Sequence, residues 1–120
     1  MRPAWSLILL LIFATHLSAG PADVVDVQFE KTGTGLYTFH VTLKHADEGW
    51  KHYADAWEVL APDGTVLGKR VLHHPHVEEQ PFTRSLSNVK VPPGVTQVIL
   101  RGHDSVHGWG GRQFVVAIPE

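Results

Sequence analysis

The sequence predicts an all-β protein, a single seven-stranded antiparallel sandwich that follows an N-terminal leader. Three observations carry that prediction. From Asp23 onward apolar and polar residues alternate with a period of two, the spacing at which side chains of a strand share a face. Turn-forming clusters interrupt the alternation at short intervals, as "TGTG" (32–35), "PDGT" (62–65) and "PPGV" (92–95). No segment holds apolar residues at the three-to-four-residue spacing of an amphipathic helix. A chain of 120 residues has room for one core of ordinary size.

Each element has its own signal. The first strand, "ADVVDVQFEK", sets Val25, Val27 and Phe29 against Asp26, Gln28 and Glu30. In the second, "LYTFHVTLKH", Tyr37, Phe39, Val41 and Leu43 share the core face, which leaves His40 on the solvated one. The loop "ADEGWK" precedes a third strand, "HYADAWEVLA", where Trp57 falls in phase with Tyr53 and Val59 as a buried tryptophan and Asp55 shares that phase. "PDGT" ends it, because proline presets the first turn angle and glycine tolerates positive φ. A fourth strand, "VLGKRVLH", leads to the loop "HHPHVEEQ" and a fifth, "PFTRSLSNVKV". After "PPGV" come "TQVILRGH", the loop "DSVHGWGG" and the closing strand "RQFVVAIP".

Within the last third, "VPPGVTQVILRGHDSVHGWGG" resembles the stretch of fibronectin type III and related immunoglobulin-like domains where a Pro-Gly turn leads into an alternating strand and a Gly-rich hairpin loop. The resemblance implies an immunoglobulin-like sandwich. The chain departs from it where those domains carry a tyrosine soon after the Pro-Gly turn, since Gln97 and Val98 stand there. As a whole the chain looks like small exported bacterial proteins of unknown function, a likeness that carries no activity with it.

The start of the chain reads as a secretory signal peptide over residues 1–22. Arg2 precedes the unbroken apolar run "SLILLLIFA" (6–14) and a stretch of small residues, with cleavage expected after Ala19 or Ala22 and the sandwich domain over 23–120. The apolar run is short for a bilayer span. This places the protein in the periplasm or outside the cell. There is no cysteine, so neither disulfides nor thiolate metal sites are available. Loss of Arg2 leaves nine Lys and Arg against twelve Asp and Glu, a net charge of −3 with histidines neutral. That balance argues against nucleic acid as a partner, and against an anionic membrane surface after signal cleavage.

Histidine is the unusual feature of the composition, with nine in the chain. Strands that alternate in direction send successive loops to alternate ends, so His45, His52, His73, His74, His76, His103 and His107 are expected at one pole, with only His40 of the sandwich histidines elsewhere. Asp47, Glu48, Asp55, Glu78, Glu79 and Asp104 share that pole. His74-Pro75-His76 can direct two imidazoles to one side, and His103 and His107 flank a tight loop. The expected ligands of a zinc or copper(II) ion are therefore His52, His74, His76, His103 and His107, with His73 out of phase; copper(I) is disfavoured without thiolates or thioethers. Asp55 and Asp104 are expected to orient ligands, Arg84 to brace a carboxylate, and Trp50 and Trp109 to meet a partner.

A second reading keeps the same pole without metal, as a module that holds an exported protein or small ligand through a pH-sensitive histidine network. No catalytic residue is expected. Asp104, Ser105 and His107 crowd one loop without relay geometry, and a copper monooxygenase brace would need a mature chain that begins at His16.

Overall fold

A computed structural model describes residues 20–119. The predicted leader falls on residues 1–19, outside the described residues, apart from Gly20, Pro21 and Ala22. Seven strands follow: β1 (Asp23–Gly33), β2 (Leu36–Lys44), β3 (Ala54–Leu60), β4 (Val66–Val71), β5 (Phe82–Lys90), β6 (Gln97–Asp104) and β7 (Gly108–Ala117). They form two antiparallel sheets, of order β1-β2-β5 and β4-β3-β6-β7, and the sandwich predicted from the alternation is the fold.

The core lies between the sheets. Phe39, Val41 and Leu43 come from β2, Trp57 and Val59 from β3, and Val98 and Leu100 from β6, all fully buried. At roughly 1.5–3 kcal/mol for each large apolar side chain, this set supplies most of the drive for folding. Gly64 and Gly94, in the turns after β3 and β5, sit at φ 93° and 89°, where a β-carbon would be strained.

Two phase changes distinguish the structure from simple alternation. A register shift between Val24 and Asp26 makes Val24, rather than Val25, the fully buried residue at the start of β1. A second, between Ala54 and Ala56, puts both Ala54 and Trp57 in the core and leaves Asp55 partly exposed, so Asp55 does not share the phase of Trp57. The third strand also begins at Ala54, which leaves His52 and Tyr53 in the preceding loop.

The three histidine-bearing loops meet at one pole, because Leu43 pairs with Phe82, Asp23 with Lys44, and Ala54 with Asp104. Ala22 is fully buried at the same pole, against Gly102 and Gly111.

Candidate functional site

Two strands carry a polar residue past the end of their core-facing row. In β6 the inward positions are Val98, Leu100, Gly102 and then Asp104, whose side chain is fully buried. In β2 the inward row Phe39, Val41, Leu43 continues into His45, also buried. Period-two geometry thus delivers a carboxylate and an imidazole to the same interior point. Burial of such groups demands partners.

The partners are each other. His45 Nε2 and His52 Nε2 each lie 2.7 Å from Asp104 Oδ2, and His107 Nδ1 lies 3.0 Å from the same oxygen. The other oxygen, Oδ1, accepts the backbone N–H of Val106 at 2.9 Å and that of His107. The far side of each imidazole is held as well. His45 Nδ1 is 2.5 Å from Asp47 Oδ1, and His52 Nδ1 is 2.6 Å from Glu48 Oε1. Asp47 ties the pole together, since its Oδ1 also accepts the N–H of Ala54 at 3.1 Å and its Oδ2 that of His76 at 2.6 Å.

The electrostatics follow from these contacts. Burial alone lowers the affinity of His52 for its proton, but hydrogen bonds to Glu48 and Asp104, together with their charge, outweigh it and raise its pKa above 6.5. Burial likewise pushes the Asp104 carboxyl up, yet the bonds from His107, His52 and Val106 hold it well below the usual carboxylate range. A carboxylate facing imidazoles on one side and backbone N–H groups on the other stays ionised.

A proton-filled network leaves Oδ2 of Asp104 crowded. One carboxylate oxygen offers about two lone pairs, while three ring nitrogens approach it. One imidazole nitrogen from His45, one from His52 and one oxygen of Asp104 all lie within 4.8 Å of one another, close enough to hold a metal ion. In that state Nδ1–H of each histidine would donate to Asp47 or Glu48, which fixes the tautomer and leaves Nε2 free to ligate.

The residues nominated from sequence separate into several groups. His52, His107 and Asp104 come together, and Asp104 stands at the centre of the cluster rather than behind a ligand. His45 was placed at the pole but not among the ligands, although its phase with Leu43 marks it as inward. His76 takes another position: its ring stacks on Phe82 at 4.0 Å, its Nε2 meets Arg84 Nη2 at 3.0 Å, and its Nδ1 is buried without a partner among the described residues. Burial and the Arg84 charge lower its pKa. Arg84 Nη2 also donates to Glu79 Oε1 at 3.1 Å, a single contact to an exposed carboxylate.

His103 points to the opposite face of β6, where its Nδ1 meets Asp55 Oδ1 at 2.5 Å and its ring packs edge-on to Trp109. Asp55 therefore orients a histidine, but one apart from the cluster. Trp109 itself is covered by Arg101 at 4.5 Å and Lys69 at 5.7 Å. His74 and His73 are exposed, with His74 beside Trp50, which is 66% exposed and rests edge-on against Tyr53. His40 lies on the outer face of the other sheet, between Glu30 and Ser85, as its phase predicts.

The chain is similar to a protein named "Putative lipoprotein" from Halomicrobium mukohataei, with 45% identity over 102 residues that cover 85% of this chain and 50% of that protein. No family model matches the chain, and no solved structure does. The chain spans about half the length of the curated relative it matches.

Proposed function

We propose that this is an exported domain that binds one divalent transition-metal ion, zinc or copper(II), through His45 Nε2, His52 Nε2 and Asp104 Oδ2, with His107 closing the exposed side. The carrying observation is the convergence of three ring nitrogens on one buried carboxylate oxygen, each of the two buried imidazoles backed by a further carboxylate. Imidazole and carboxylate are donors that both ions accept. Export is supported by the apolar leader sequence and by the name of the relative, a lipoprotein. A periplasmic or secreted carrier or sensor is the role this combination suits.

The competing reading has its own observation. Every ring nitrogen of His45 and His52 faces a carboxylate oxygen, so both rings have a polar partner on each side without metal. The pole is then a charged scaffold for a protein or ligand contact. Titration of chelator-treated, tag-free protein with zinc or copper(II) separates the two. A single saturating site that is lost in His45→Gln supports the metal reading, and absence of any heat or thermal shift with either ion supports the scaffold.

A further inference from the structure

The pole opposite the histidines contains a groove of about 640 Å³ that the proposed metal site does not use. It opens where β2 begins and where the chain turns after β5 and β7, and its apolar walls are Leu36, Val91, Pro92, Val95 and Ile118. Its size and composition are those of small-molecule sites, which are mostly apolar with a few fixed polar groups. The charged groups among the described lining residues are of one sign. Lys31 and Lys90 line the groove, and among the described residues no carboxylate lines it and neither lysine has an ion pair.

The register explains how one of these cations comes to the groove. Lys31 pairs with Tyr37, as Phe29 pairs with Phe39, so Lys31 occupies the next core-facing position of β1 beyond Phe29. An ammonium group ends a row that otherwise faces the core. Tyr37, also in the lining, is 5% exposed, so its ring is fixed in the core while its hydroxyl is available at the groove as a donor. A fixed phenol, two ammonium groups with no ion pair among the described residues, and an apolar wall together suit an amphiphile with an anionic head.

We infer that this groove binds a long-chain carboxylate, a free fatty acid whose hydrocarbon lies along the Leu36–Ile118 wall and whose carboxylate meets Lys31, Lys90 and the Tyr37 hydroxyl. The apolar tail leaves water against apolar side chains, and the head forms charge-assisted hydrogen bonds that a neutral or cationic head cannot. The site is independent of the metal reading, since it lies at the other end of the sandwich.

The test is calorimetric titration of the protein, in EDTA, with decanoate and with decyltrimethylammonium, both below their micellar concentrations. Decanoate is expected to saturate one site, and the cation of equal chain length to bind roughly tenfold more weakly or not at all. The exposed pair Lys31→Gln with Lys90→Gln should keep the wild-type melt and lose about tenfold in decanoate affinity. Tyr37→Phe should weaken decanoate more than the cation. Equal binding of the two amphiphiles, wild-type affinity in the double lysine variant, or no saturable decanoate binding would each overturn the inference.

Discussion

His45 and His52, seven positions apart in sequence, place their Nε2 atoms at the same distance, 2.7 Å, from one oxygen of Asp104. The two rings meet edge to face at 4.9 Å between centroids, and that arrangement closes the pole of the sandwich. It makes Asp104 the residue on which the pole most depends.

Asp104→Asn keeps the shape and removes the charge. Its amide nitrogen can no longer accept, so imidazoles that faced a carboxylate lose a buried partner. Removal of one member of a buried ionic group costs about 3–5 kcal/mol. Urea unfolding of the metal-free variant should show a loss of that size. Glu79→Gln, which breaks an exposed pair with Arg84, should cost less than about 1 kcal/mol. Equal effects of the two changes would remove Asp104 from the centre of the account.

The pH dependence of metal-free protein follows from three groups. His52 has a raised pKa, so its contribution is complete below about 6.5 and is lost as pH rises through the folded value. His76 has a lowered pKa, so its contribution is complete above about 6.5 and is lost as pH falls through the folded value. Asp104 stabilises above about 3.8 and ceases to only in stronger acid. Stability in EDTA should therefore peak near pH 6.5. A bound ion requires deprotonated imidazoles, so with metal present stability should keep rising toward pH 8. Denaturation midpoints across pH 5–8, with and without EDTA, check this, and superimposable profiles would count against an ion.

Ala22 bears on where the working chain begins. Its side chain is fully buried, its backbone packs closely on Gly102 and Gly111, and Arg112 N–H bonds Asp23 Oδ1 at 2.7 Å. A β-carbon on Gly111 would collide with the Ala22 carbonyl, so the two segments are fitted to each other. A chain trimmed to start at Asp23 should melt several degrees below one that starts at Gly20, because it loses this contact and sets a charged amine there. Cleavage after Ala19 would keep this contact and cleavage after Ala22 would remove it, and the intact mass of exported protein distinguishes the two.

The fold was legible because strand alternation is a local property. Tyr37, Phe39, Val41 and Leu43, Trp57 with Val59, and the glycine turns at 64 and 94 all stand where their periodicity and turn chemistry put them. The pole was legible too, since loop parity needs only a strand count. Convergence within the pole was harder to read. The useful signal was that Asp104 continues the row Val98–Leu100–Gly102 and His45 the row Phe39–Val41–Leu43, so a charged and a titratable residue both face inward. Spacing drew attention instead to His74 and His76, whose side chains go to solvent and to Phe82 with Arg84. Asp55 was misplaced because a β-bulge, invisible to a period of two, shifts it toward His103.

The central claim is an ion held between His45, His52 and Asp104, and elemental analysis of tag-free protein purified without chelator tests it most directly. Close to one equivalent of zinc or copper per chain is expected in wild type and in His74→Ala, and less than about a tenth of that in His45→Gln. A wild type without stoichiometric metal, or a His45→Gln protein that retains it, would contradict the account.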